Sequence, residues 1–217
     1  MIEDLKSVDL TGQELLNILK SIDNFKMIYQ SQVRHYTLEE HTLLVISEYK
    51  KYFSDIELPI SNSLFMLVLG LHDIGKPKAF AEGNRSRQHF YTAELINNIR
   101  DLLPFSNLEI DLCIALVKAD PIGMFMQNQI NLESAKIQIE ELSKQTFLNL
   151  SEFFKLMCIY YQSDTASYTV DAGGLAFLEH LYLYQNNLKI FDHQNARLKF
   201  SISHENKYLE LEKALLK

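Results

Sequence analysis

The sequence predicts an all-α fold, a helical bundle with a small hairpin or helix as a C-terminal appendage. Apolar residues recur at helical spacing along most of the 217-residue chain. Three segments open with a capping box, in which Ser or Thr precedes Glu by three positions: Thr11–Glu14, Thr37–Glu40 and Ser106–Glu109. No internal repeat, low-complexity segment or linker rich in Gly, Ser or Pro interrupts this pattern.

Residues 11–118 contain five predicted helices. Three of them follow a capping box, and their apolar runs read LLNILKSI, HTLLVISEYKKYF and IDLCIALVK. A fourth, SLFMLVLGLHD, starts near Asn62, and we expect Gly75 and Pro77 to end it because both residues disfavour helix continuation. A fifth is predicted over 91–103, where Pro104 follows.

The second half of the chain continues the helical pattern and then loses it. Residues 132–143 are amphipathic, and the strongly apolar residues 147–163 are expected at the centre of the core. A helix is predicted over 175–184, after a Gly-Gly pair. Residues 189–203 include the alternating LKFSIS, which predicts a short strand or hairpin, and 205–216 predicts a terminal helix.

The length suits one domain, and we predict a single domain over residues 1–217. Its core spans residues about 30 to 185, and residues 1–29 and 186–217 form flanking helices or an appendage. The last 30 or so residues are open to three interpretations, namely a dimerisation element, a lid or plain packing. A homodimer is therefore one expected partner arrangement.

Composition and charge exclude several classes of protein. The net charge is −7 and no basic run occurs, which argues against an extended nucleic-acid surface. No apolar stretch reaches about 18 residues, so we expect no membrane span. The two cysteines lie in apolar segments and are expected to be free thiols. The N-terminus is acidic and does not resemble a signal peptide, so we expect a cytoplasmic protein.

The stretch Leu71-His72-Asp73-Ile74-Gly75-Lys76-Pro77 places two polar residues at the end of an apolar helix. Imidazole and carboxylate groups are ligands for divalent metals, and a buried carboxylate is costly unless a cation accompanies it. His41 and Asp164 also lie on segments that should be buried. Together with His72 and Asp73 they supply four ligands from three helices, which is how helical bundles build metal sites.

The order His41, His72-Asp73, Asp164 resembles the HD superfamily of metal-dependent phosphohydrolases, whose motif is H…HD…D on a helical core. The Gly and Lys after the HD pair fit the extended signature of that family, and the resemblance covers residues about 30 to 180. It implies an HD-type helical bundle in which these four residues bind a divalent ion, one of Mn, Mg, Fe, Co, Ni or Zn.

The resemblance also implies roles for residues around the motif. Asp73 would orient or deprotonate the attacking water, and Lys76 would reach a substrate phosphate. His89 matches the place of a further histidine in many family members, which serves a second metal or the leaving group. Arg85 and Arg87 offer guanidinium forks that match phosphate oxygens.

The sequence departs from the multi-histidine pattern of two-metal family members, because no histidine lies between His89 and His180. Asp120 stands where such a histidine is often found. It is either a metal ligand or substrate contact, or a turn aspartate before Pro121. The departure favours a single metal.

These residues predict a metal-dependent phosphoric ester hydrolase that acts on a nucleotide or another small phosphorylated compound by metal-activated water. The alternative is an inactive HD module that binds metal or nucleotide and regulates a partner, which the missing histidines motivate. A di-iron oxygenase is a smaller alternative. The chain carries no P-loop, G-x-G-x-x-G, G-x-S-x-G or C-x-x-C motif, which excludes the enzyme classes that need them.

Overall fold

A computed structural model of the chain describes residues 2–7, 9–33, 35–168, 178 and 180–216. These residues are mostly helical, with short strands paired as small hairpins, and the prediction of an all-α bundle with a small C-terminal hairpin is confirmed. Within the described residues, no helix combines the length and the apolar character that crossing a membrane requires.

The chain divides into two compact units, Met1–Ser47 with Leu58–Ala119, and Glu48–Glu57 with Asp120–Lys217. The prediction of a single domain over residues 1–217 stays a prediction. The elements that begin in the first unit are α1 (Gly12–Leu19), α2 (Phe25–Gln30), β1 (Gln32–Val33), β2 (Tyr36–Thr37), α3 (Leu38–Tyr52), α4 (Asn62–Leu71), α5 (Lys76–Ala81), α6 (Gln88–Asn98) and α7 (Asn107–Val117). Short 3-10 turns occur at Ile2–Lys6, Arg85–Arg87 and Arg100–Leu102, and β1 pairs antiparallel with β2.

Helix α4 is the core of the first unit. It starts at the N-cap Ser61, whose hydroxyl accepts a hydrogen bond from the Leu64 amide, and every residue after Asn62 is buried. Helices α1 and α7 pack against it. Gly70 permits the approach of α1, because a Cβ there would lie 2.8 Å from the Leu19 side chain. The Tyr29 hydroxyl donates to the Gly70 carbonyl at 2.8 Å, so α2 also holds the end of α4 that precedes the His72-Asp73 pair.

The second unit contains α8 (Pro121–Met126), α9 (Leu132–Ser143), α10 (Leu150–Ser167), β3 (Tyr184–Gln185), β4 (Leu188–Lys189), β5 (Phe191–Asp192), β6 (Arg197–Leu198) and α11 (Ile202–Leu216). Helix α10 is its core element and packs against α8, α9, α11 and β6. The buried amide of Gln162 bonds both backbone groups of Leu198, donating to its carbonyl at 3.0 Å and accepting from its N–H at 2.9 Å. A side chain therefore fixes β6 to α10.

Several predicted boundaries require correction. The helix predicted over 91–103 starts earlier and ends earlier, as α6, and a 3-10 turn follows it. Of the helix predicted over 175–184, residues 175–177 and 179 lie outside the described residues, and Tyr184 belongs to strand β3 rather than to a helix. Pro77 was expected to end the preceding helix, but it also lies in the first turn of a further helix, α5. Proline is well tolerated in the first turn of a helix.

Candidate metal centre

His72 is positioned directly after the buried helix α4 and is fully buried itself. Its Nδ1 atom lies 2.7 Å from the carbonyl oxygen of Leu69. A carbonyl can only accept, so Nδ1 carries the proton and donates. In the neutral ring the lone pair is then on Nε2, the atom that faces the other site residues. Histidines that bind metals are commonly oriented in this way, with the second ring nitrogen donating to a backbone carbonyl.

His41 lies in the first turn of α3, next to the capping box that starts this helix. The Thr37 hydroxyl accepts from the Glu40 amide at 3.2 Å, and Glu40 accepts from the Thr37 amide at 2.6 Å. The Tyr36 ring stacks on the His41 imidazole with 5.2 Å between centroids. The cap and the stacked ring together fix the imidazole, whose Nε2 lies 3.3 Å from Nε2 of His72.

Asp73 completes a close triad with the two histidines. Its Oδ2 lies 3.1 Å from His41 Nε2 and 3.2 Å from His72 Nε2. This oxygen is buried, and the Lys76 ammonium contacts it as well. Two ligands about 2.1 Å from one ion lie roughly 3.0–3.4 Å apart in octahedral or tetrahedral coordination. The spacing of the triad therefore fits a shared divalent ion.

The Asp73 carboxyl group is buried, which raises its pKa, but nearby positive and hydrogen-bonding groups outweigh this effect. The Lys76 ammonium contributes most to lowering the pKa, and His72 and His41 contribute further. The pKa of Asp73 is therefore held well below its usual range. The carboxylate stays ionised at neutral pH, as a metal ligand must.

Asp164 lies on α10 and joins the triad in one group. The four residues His41, His72, Asp73 and Asp164 each offer a ligand atom, and these atoms all lie within 4.8 Å of one another. The first three are buried and Asp164 is half-buried. Two imidazoles and two carboxylates are a common donor set for divalent transition metals. The group could therefore hold a metal ion, as the sequence predicted.

Lys76 is buried and its ammonium contacts the Asp73 carboxylate, which excludes an ordinary solvated lysine. The turn at Gly75 makes this contact possible. The Gly75 amide donates to the Thr92 hydroxyl at 3.0 Å, and a Cβ at Gly75 would overlap the Thr92 amide nitrogen and the Gln88 carbonyl oxygen. Thr92 was not identified from the sequence as part of the site. The one sequence feature that indicated a close backbone approach was Gly75, two residues after Asp73. The phosphate-binding role of Lys76 stays a prediction.

His89 is half-buried near the start of α6, two residues after Arg87. Its Nδ1 lies 3.0 Å from the Val117 carbonyl, so Nδ1 donates, and its Nε2 lies 3.2 Å from the side-chain amide nitrogen of Gln88. Arg85 and Arg87 are exposed, and each guanidinium stacks over an aromatic ring of the same unit. The assignments of His89 to the leaving group and of both arginines to substrate stay predictions.

Asp120 is the N-cap of α8, and its Oδ1 accepts from the Gly123 amide at 2.9 Å. A Cβ at Gly123 would overlap this carboxylate, so the glycine makes room for the cap. The turn role proposed for an aspartate before Pro121 is thus present in the structure. Its role as a metal ligand or substrate contact stays a prediction.

Comparisons of the chain with models of protein families, with curated proteins and with solved structures found no match. The assignment of function therefore depends on the residues of the site and their geometry.

Proposed function

We propose that this protein is a metal-dependent phosphoric ester hydrolase of the HD type, acting on a nucleotide or another small phosphorylated compound. The observation that carries the proposal is the convergence of His41 Nε2, His72 Nε2 and Asp73 Oδ2 within 3.3 Å of one another. The His72 tautomer directs a lone pair at the carboxylate oxygen, an arrangement that a cation stabilises. The sequence motif supports phosphoryl chemistry at such a site.

In the proposed hydrolysis, each residue around the group has its own role. A bound divalent ion would supply an activated water molecule and polarise a phosphoryl oxygen. Asp73 orients the attacking water, and Lys76 offsets negative charge on the phosphate. As the ester P–O bond breaks and the water oxygen bonds to phosphorus, the leaving oxygen takes the Nε2 proton of the imidazolium form of His89, in which both ring nitrogens carry a proton. Its Nδ1 hydrogen bond to Val117 holds the ring for this transfer.

The test is a hydrolysis screen of the full-length protein against phosphomonoesters, phosphodiesters and nucleotides, with each of Mn²⁺, Mg²⁺, Fe²⁺, Co²⁺, Ni²⁺ and Zn²⁺. We expect turnover of at least one substrate with at least one metal, and its loss in Asp73→Ala. Asp101→Ala is the matched control, because Asp101 is an exposed residue of the same unit. A screen without turnover, or turnover that survives Asp73→Ala, would contradict the proposal.

One observation favours the regulatory alternative, in which an inactive module binds a metal or nucleotide. The Lys76 ammonium contacts the Asp73 carboxylate and can neutralise it without a metal. In that case calorimetry with nucleotides would show binding, and analysis of the products would show no hydrolysis. Turnover that Asp73→Ala abolishes would exclude the alternative.

A further inference from the structure

Cations and aromatic rings cluster between α5 and α6, with Tyr91 buried beneath the exposed members, and we call this cluster the basic-aromatic patch. It consists of Lys78, Phe80, Arg85, Arg87, Phe90 and Tyr91. The Arg85 guanidinium lies 4.6 Å from the centroid of the Phe80 ring. The Arg87 guanidinium lies 4.9 Å from the Phe90 centroid and 4.6 Å from the Tyr91 centroid. Cations are thus held against ring faces within one short segment.

The two guanidiniums are held in place but keep their donors available. A ring contact occupies the face of a guanidinium and leaves the N–H groups at its edge. Within the described residues, neither Arg85 nor Arg87 makes an ion pair or a side-chain hydrogen bond. Such edges can bind two phosphate oxygens at once, and the stacked rings reduce the entropy lost in doing so.

Phe90 is the most exposed aromatic ring of the patch, with 54% of its surface accessible. Its neighbour Tyr91 meets it edge-on, with 5.5 Å between centroids. An exposed phenyl ring beside a guanidinium is the arrangement on which nucleic-acid bases stack. The patch therefore combines the two elements that a nucleotide requires, an aromatic surface for the base and donors for the phosphate.

Acidic groups at the edges of the patch limit how large its ligand can be. Glu82 accepts a hydrogen bond from the Tyr91 hydroxyl, and Glu94 pairs with Lys78 at 3.4 Å. Both carboxylates would repel the flanking phosphates of a long polyanion. The net charge of −7 also disfavours binding of a long polyanion. These charges favour a single nucleotide over a nucleic-acid strand.

The patch adjoins the turn that carries the metal-binding pair. The Gln88 carbonyl and the Thr92 side chain pack on Gly75, two residues after Asp73, and His89 lies in the same turn of α6. We propose that the basic-aromatic patch binds a nucleotide, with the base on Phe90 and a phosphate on Arg85 and Arg87. This inference deepens the proposed function and rests on it, because it names a nucleotide as the substrate class of that site.

The test compares binding of adenosine 5′-monophosphate and ribose 5-phosphate, measured by calorimetry on the full-length protein with Mg²⁺. Phe90→Ala should weaken binding of the nucleotide about tenfold and leave the sugar phosphate unchanged, because only the nucleotide loses stacking. Arg87→Ala should weaken both ligands. Leu108→Ala is the control, since Leu108 is also an exposed apolar residue of the same unit, and it should change neither affinity.

The outcomes separate this inference from the proposed function. Nucleotide binding that depends on Phe90, in a protein without hydrolytic activity, would support nucleotide binding at the patch and overturn the proposed hydrolase function. Hydrolysis with unchanged nucleotide binding and KM in Phe90→Ala would overturn the patch and leave the hydrolase intact. Affinity for single-stranded RNA that rises steeply with length would also overturn the inference, because the ligand would then be a strand rather than a nucleotide.

Discussion

The Gly75 amide donates a 3.0 Å hydrogen bond to the Thr92 hydroxyl, and this contact joins the turn after His72 and Asp73 to α6. Gly75→Ala should destabilise the protein by about 1–3 kcal/mol or more, because its Cβ would overlap backbone atoms of Gln88 and Thr92. Urea denaturation followed by circular dichroism measures this loss. Gly12→Ala is the control, since its Cβ would meet only the side chains of Ile46 and Leu43, at 3.1 and 3.3 Å. Equal stability of the two variants would show that the close approach at Gly75 is absent in solution.

Lys76 and Lys78 provide a matched pair of lysines, one buried and one exposed. Lys76→Met leaves the buried Asp73 carboxylate without its contacting ammonium, and we expect a loss of about 3–5 kcal/mol in metal-free protein. A divalent ion should restore part of this loss, so added metal should raise the Tm of this variant more than that of the wild type. Lys78→Met removes an exposed pair with Glu94 and should cost less than about 1 kcal/mol. If thermal unfolding gave the same Tm for Lys76→Met and Lys78→Met, the result would contradict the burial of Lys76.

Gln162 bonds both backbone groups of Leu198 from within the core of the second unit. Gln162→Ala leaves a buried N–H and a buried carbonyl without these partners, and we expect a loss of about 2–4 kcal/mol. Gln194→Ala, at an exposed position of the same unit, should stay within about 0.5 kcal/mol of wild type. Guanidinium denaturation checks both variants. A stable Gln162→Ala protein would show that β6 does not depend on this side chain.

Cys113 and Cys158 are free and buried, and burial raises the pKa of both thiols, that of Cys158 to about 12. The reactive thiolate is therefore scarce at pH 8. We expect no labelling of either residue by iodoacetamide in the native protein and labelling of both in urea. The intact mass gives the number of adducts. Rapid labelling of Cys158 in native protein would contradict its burial.

Local signals in the sequence predicted much of the helical structure. The capping boxes at Thr11 and Ser106 start helices because their hydrogen bonds are made within one turn. Residues 132–143 form a helix with the predicted bounds, since their amphipathic pattern ends where the apolar spacing ends. By contrast, α5 was missed because Pro77 indicated a helix end, and proline is equally suited to a first turn.

The grouping of His41, His72, Asp73 and Asp164 was predicted from the motif order, and their ligand atoms do lie close together. The surroundings of the group were not predictable in the same way. The contact between Lys76 and Asp73 requires the turn at Gly75, and that turn depends on packing against Thr92, which is distant in sequence. Contacts of this kind depend on tertiary structure, and the local pattern of residues does not encode them.

Metal content by mass spectrometry is the most direct test of the central claim, that this group binds a divalent ion. The protein should be purified without chelator, as wild type, Asp73→Ala and the exposed control Asp101→Ala, each before and after reconstitution. We predict about one equivalent of metal in wild type and in the control, and almost none in Asp73→Ala, because its carboxylate is shared by the triad. Wild-type protein that stays free of metal after reconstitution, or Asp73→Ala protein that retains a full equivalent, would contradict the account.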